Sequence, residues 1–235
     1  ISAPNGVAVL AAGNDILYSP LGDEKVLVRS SLGGAKGAEN SGTITAAQAE
    51  LKAAGGNVYG LAVNNTGTVA ATGITTRGGR VILSADGGTV QNSGTISAKN
   101  ADGSGGIVKM NSGATGITTN SGTIDAAASD ITKPGGNVEI AGGTITLTST
   151  SQINASGASG GTVIVGGVPP TSPVATSAET GAAAIASTAA TPAAGAGAST
   201  STQPITPAQR TAIEAGSRIL ANATAPVGNG GRIVV

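Results

Sequence analysis

The chain of 235 residues contains no Cys, His, Phe or Trp, and only two aromatic side chains, Tyr18 and Tyr59. Without Cys and His there is no thiol nucleophile, no His-based acid–base pair and no Cys/His zinc site. Without aromatic bulk a globular core is hard to fill, so the interior must be thin and built from Ile, Val, Leu and Ala. Charge is scarce too. Twelve basic residues cancel twelve acidic ones, and no Lys/Arg cluster offers itself to nucleic acid or to an anionic bilayer. No run of 18 apolar residues exists, so no membrane span is expected. The short apolar stretch 7–12 lacks the basic leader of a signal peptide, and the chain reads as a mature product or an excised piece. No cofactor is expected.

What is abundant is glycine, 39 residues without a collagen-like triplet, and much of it falls in repeats. The phrase Asn-x-Gly-Thr-(Ile/Val)-x-Ala starts at Asn40, Asn65, Asn92 and Asn120, at steps of 25, 27 and 28. A second phrase, Gly-Gly-x-(Val/Ile), is interleaved at Gly55, Gly78, Gly105, Gly135, Gly160 and Gly230. Self-similarity of this length marks a solenoid, in which each coil packs on the next.

Within Gly-Thr-Ile-x-Ala, alternation on a strand turns Ile44, Val69, Ile96 and Ile124 inward, with Ala46, Ala71, Ala98 and Ala126 on the same face and the preceding Thr residues toward solvent. A second strand is expected after each Gly-Gly, as in 57–61, 80–83 and 137–140, with glycine supplying positive φ at the corner. A third, shorter strand is expected around 88–90 and 143–147. The Asn that opens each phrase suits a turn, and aligned Asn side chains would hydrogen-bond along the axis as a structural ladder. Counting Ile1, Ile44, Val69, Ile96, Ile124, Ile153 and Ile219 gives seven coils, roughly 30–35 Å of solenoid. The long first interval holds Asp23-Glu24-Lys25, read as an exposed loop.

These phrases resemble the filamentous haemagglutinin family of two-partner secretion exoproteins. The resemblance is carried by Asn40-Ser41-Gly42-Thr43-Ile44, Asn92-Ser93-Gly94-Thr95-Ile96, Asn120-Ser121-Gly122-Thr123-Ile124 and the opening Ile1-Ser2-Ala3-Pro4-Asn5-Gly6. It covers about 1–167 and 217–235. It implies a right-handed parallel β-helix and a bacterial adhesin or fibre, exported to the cell surface, with no catalytic centre. Expected partners are a host or neighbouring-cell surface, a polysaccharide, or further copies of the chain.

The repeat breaks after Gly160. The next Asn-equivalent is Ala215, several times further along the chain than the usual interval from a Gly-Gly pair to the following Asn. Residues 168–216 therefore read as a low-complexity Ala/Thr/Pro insertion between a β-helix of 1–167 and a final coil of 217–235, expected to lie along the solenoid or on a neighbouring subunit. Thr206-Pro207-Ala208-Gln209 has a helix-start signature, so a short helix is predicted over 207–215. Solenoid ends expose strand edges. Ile1, Ser2, Ala3, Ile233, Val234 and Val235 are accordingly candidate subunit contacts for head-to-tail stacking into a filament.

Two alternatives have their own signatures. A carbohydrate-acting β-helix enzyme would group carboxylates about 5–10 Å apart in one groove. Asp86, Asp102, Asp125, Asp130 and Glu139 are scattered over different coils, with only Asp102 and Asp130 able to approach across adjacent loops. An ice-binding face would need a regular Thr-x-Thr array. Thr144-Ile145-Thr146-Leu147-Thr148 has that form, but the position two after the repeat Thr varies through Thr45, Ala70, Ser97 and Asp125.

Overall fold

The computed structural model describes residues 1–13, 15–18, 26–29, 37–54, 61–85, 87–166, 207–226 and 228–235. The expectations for the loop at 23–25, for the Gly-Gly corner at 55–56, for the strand residues 57–60, for Asp86 and for 168–206 lie outside the described residues.

Twenty strands follow one another among the described residues. They begin with β1 (Ser2–Ala12), a hairpin of β2 (Asp15–Tyr18) and β3 (Val26–Arg29), then β4 (Ala38–Asn40) and β5 (Thr43–Ala53). Three strands per turn come next: β6 (Leu61–Asn65), β7 (Thr68–Thr72) and β8 (Arg80–Ala85); β9 (Thr89–Asn92), β10 (Thr95–Lys99) and β11 (Ile107–Asn111). The following two turns are β12 (Ile117–Asn120), β13 (Thr123–Asp125) and β14 (Asn137–Ala141), then β15 (Thr144–Leu147), β16 (Gln152–Asn154) and β17 (Thr162–Val165). The last strands are β18 (Arg210–Ile213), β19 (Arg218–Leu220) and β20 (Arg232–Val234). Apart from the antiparallel pair β2–β3, every strand pairing is parallel, and each strand pairs with its counterparts in the neighbouring turns. The molecule is a β-solenoid.

Three faces result. The first stacks β7, β10, β13, β16 and β19 below the leading half of β5, and the second stacks β8, β11, β14, β17 and β20 below its trailing half. The third is a six-stranded sheet in the order β18-β15-β12-β9-β6-β4. At about 4.8 Å per strand its outermost members lie roughly 24 Å apart.

The core follows from register. Ile44, Val69, Ile96, Ile124, Ile153 and Ile219 form one row inside the first face, and all but Ile219 are buried. Val81, Val108, Val138 and Val163 form a second row, with Leu83, Met110, Ile140 and Val165 two residues further on. Each row places one apolar side chain directly over another. This narrow channel fills without aromatic rings because no residue has to reach across a wide sheet gap.

Several expectations are corrected. Four turns, from β6 to β17, carry three separate strands in uninterrupted succession; the rungs on either side depart from that pattern, so the count of seven coils does not hold. β5 is the main departure: it bends at Ala47, which is fully buried, and covers two faces as one strand. The second strand of that coil is therefore Gln48–Ala53, ahead of Gly55-Gly56, and Leu61 belongs to β6 on the third face. The coil from Asn40 to Asn65 is the shortest of the repeat and has no length for a separate corner loop there. Ile1, counted in the inward row, is 64% exposed, because no described strand lies beyond β1 to cover it.

Residues 210–213 form β18 and no helix is present among the described residues. β15 offers an open ladder edge, and Arg210–Ile213 complete it in register with Thr144–Leu147, outweighing a capping signature of about 1 kcal/mol. The last turn thus takes in residues that the sequence division assigned to the insertion.

The Gly-Gly corners also work differently. None of Gly78, Gly79, Gly105, Gly106, Gly135, Gly136, Gly160 or Gly161 has positive φ. Except at Gly78, whose Cβ would meet only the Asn100 side chain, they are glycine because backbones touch there: a Cβ on Gly106 would fall against the Gly79 carbonyl, one on Gly136 against the Gly106 carbonyl, and one on Gly161 against the Gly136 carbonyl.

Candidate functional site

The corner between the third and first faces is built by the repeated Asn phrase. The N–H groups of Thr66 and Gly67 both donate to the Asn40 carbonyl, at 2.9 and 3.0 Å; Ser93 and Gly94 repeat this on Asn65, and Ser121 and Gly122 on Asn92. That shared backbone turn points each Asn side chain inward, where Asn65, Asn92 and Asn120 are fully buried.

Inside, the amides join end to end. Asn40 Nδ2 donates to Asn65 Oδ1 at 2.7 Å, Asn65 to Asn92 at 2.8 Å and Asn92 to Asn120 at 2.7 Å. The second proton of each Nδ2 goes to a main-chain carbonyl: Thr68 from Asn40, Gly67 from Asn65, Gly94 from Asn92 and Gly122 from Asn120. A carbonyl oxygen can only accept, so the amide atom that faces it must be the nitrogen, which fixes the amide orientation and gives the ladder one direction. It closes on Ser151 Oγ, 2.6 Å from Asn120 Nδ2. There the corner widens by two residues, and Leu147 takes the ladder column in register with Asn120. Ser151 was not foreseen, because the Asn signal stops one coil before it.

Two further sets of buried polar side chains were missed, one inside the solenoid and one on its wall. Thr118 interrupts a third-face row of Val63, Val90 and Ile145, with its hydroxyl 2.7 Å from the Ala141 carbonyl and 2.9 Å from Ser112 Oγ. On the outside of β5, Glu50 and Lys52 are almost wholly buried and lie 3.7 Å apart. Lys52 Nζ donates to the Val26 carbonyl at 2.8 Å, and the Val26 N–H donates to Glu50 Oε2 at 3.1 Å. Together they clamp β3 across the solenoid wall. In the sequence this pair reads as an ordinary solvated strand face, since its cover comes from Val26, well upstream of the strand itself.

Asp102 and Asp130 lie on loops that stack in adjacent turns: the Ser129 and Asp130 N–H groups donate to the Gly103 carbonyl at 2.8 and 3.1 Å. The Ser104 hydroxyl and N–H hold the Asp102 carboxyl below the usual carboxylate range, with Lys133 adding to the effect. The Thr132 N–H and hydroxyl do the same for Asp130. A glycosidase pair needs one carboxyl raised to act as acid; here both move the other way. Asp125 is paired with Lys99 at 2.7 Å, and Glu139 with Lys109 at 3.3 Å. Among the described residues no group of three or more acidic, His or Cys side chains is arranged to hold a metal, and no helix is long and apolar enough to cross a membrane.

The remaining candidate residues lie at the two ends. Ser2 and Ala3 pair with Thr45 and Ala46. Ile233 and Val234 pair with Val163 and Ile164, and Ile233 and Val235 are 47% and 63% exposed. Thr144 and Thr146 point outward from β15, but their columns continue as Ile117 and Arg210, and as Thr119 and Ala212, so no two-column Thr array forms.

No protein-family model matches this sequence, and no curated protein and no solved structure is significantly similar to it.

Proposed function

We propose that this chain is a non-catalytic structural or adhesive element of an extracellular surface, a stiff rod whose outer faces and loops meet a cell surface or a polysaccharide. The observation that carries this reading is the ladder of Asn40, Asn65, Asn92 and Asn120. These buried polar groups are joined to one another and to the backbone. Apart from the outermost oxygen, that of Asn40, their chemistry is used up in holding successive turns together. The likeness of the repeats to surface haemagglutinins supports the location, and the lack of Cys suits export without disulfides.

The test is to incubate the purified protein with immobilised polysaccharides and intact cells, measuring retention and release of reducing ends together. Retention with no new reducing ends is the expected result. Release of reducing ends would replace the rod reading by that of a carbohydrate-acting enzyme, and recovery of the native protein from the cytosol would refute the location.

A further inference from the structure

The Asn ladder has a direction and therefore two unlike ends. At Ser151 it stops on a hydroxyl, which can both accept and donate. At Asn40 it begins on an amide oxygen: Asn40 Nδ2 is committed to Asn65 Oδ1 and the Thr68 carbonyl, while among the described residues no donor reaches Asn40 Oδ1. The residue is only 7% exposed, and a strand laid over it would close off the access that water still has to this oxygen. The strand arrangement around it is also incomplete. β1 lies over β5 and so covers the first and second faces, and among the described residues no strand lies beyond β4 on the third.

We infer that the outer edge of β4 is a strand-addition site. It takes a parallel polypeptide strand from a partner protein, one that places a side-chain amide directly over Asn40, with a small or branched apolar residue two positions earlier over Ala38. The pattern is apolar-x-Asn, which the third-face strands of this chain themselves display in Val63-Asn64-Asn65 and Val90-Gln91-Asn92. Main-chain hydrogen bonds supply general affinity for an extended strand, and the buried amide selects among strands. The amide is selective because an apolar side chain in that place would seal an acceptor away from water without a partner.

The same chemistry selects against simple head-to-tail stacking of identical chains. The strand such stacking would bring over β4 is β18, whose residue in the ladder column is Ile213, in register with Leu147 and hence with Asn120. Ile213 has no donor for Asn40 Oδ1. The inference rests on the ladder alone and is independent of the proposed surface role.

The test uses isotope-labelled full chain and two synthetic peptides, one with the sequence of residues 88–95 and one with the same sequence carrying Asn92→Leu. The expected result is that the first peptide shifts the backbone resonances of Ala38–Asn40 and the Asn40 side-chain amide, and binds about tenfold more tightly than the second. Equal affinity for the two peptides, shifts confined to other edges, or no shift at millimolar peptide would overturn the proposal. An Asn40→Leu chain should lose the preference between the peptides. Should that variant not fold, the comparison of peptides on the unaltered chain still decides.

Discussion

Replacing Asn92 by Leu isolates what the ladder contributes. Asn92 is fully buried, accepts from Asn65 and donates to Asn120. Leucine fits the column, since Leu147 occupies the equivalent place two turns on with no exposure. The change therefore strips out hydrogen bonding with little change in packing. It leaves one proton of Asn65 Nδ2 and the oxygen of Asn120 buried without partners, each costing about 1–3 kcal/mol. The expected loss is about 2–6 kcal/mol, or a fall in melting temperature of about 4–24 °C for a chain of this length. Changing all four Asn residues to Leu leaves no amide orphaned. The carbonyls of Gly67, Gly94 and Gly122 keep their backbone donors Thr95, Thr123 and Gln152, and Ser151 can turn its hydroxyl elsewhere. The fourfold variant should therefore lie within about 2 kcal/mol of the native chain. Urea unfolding followed by circular dichroism, with the slope compared between variants to check that the unfolding unit is unchanged, measures both. A single variant within about 0.5 kcal/mol of native, or a fourfold variant that loses four times as much as the single one, would refute the reasoning.

Gly136→Ala should destabilise by at least about 3 kcal/mol, because its Cβ meets backbone of the neighbouring turn on several sides, whereas Gly42→Ala, with nothing within 4 Å, should stay within about 0.5 kcal/mol; thermal melts of the two compare them directly. Lys52→Met removes the cation beside buried Glu50 and the donor to the Val26 carbonyl, at a cost of about 3–5 kcal/mol, and hydrogen exchange should show the Val26 amide losing protection before the Ile96 amide does. Asp102 and Asp130 have carboxyls held below their unfolded value of about 3.9, so what they contribute is present at neutral pH and is lost as pH falls through the folded values. The double variant Asp102→Asn, Asp130→Asn should therefore melt at a temperature that falls less steeply below about pH 4 than that of the native chain; identical curves would show that neither group matters.

Much of the fold was written in the spacing. The Asn phrase fixes both a turn and the strand after it, so Ile44, Val69, Ile96 and Ile124 could be placed in one row from their common distance to that Asn. The ladder was equally legible, since one residue type recurs at one position of the coil. What failed were features set by neighbours distant in sequence. The segment 207–215 carries a local helix signal, but the open edge of β15 decides its state. Gly-Gly suggests unusual φ, whereas contact with the adjacent turn is the actual constraint. The Glu50–Lys52 clamp needs β3 to cross over it, and nothing within Gln48–Ala53 announces that. Ser151 serves as the ladder's stop only because the corner widens there.

A long stretch of chain separates β17 from β18, yet Thr144 and Arg210 meet in register just as Thr89 and Ile117 do. A strand here takes its place from the turn before it, while the chain that leads to it matters little. Lengthening a corner adds only a logarithmic closure term. Such an architecture can gain or shed appendages at its corners while its wall is laid down unchanged, so novelty between members of such a lineage should collect at the corners.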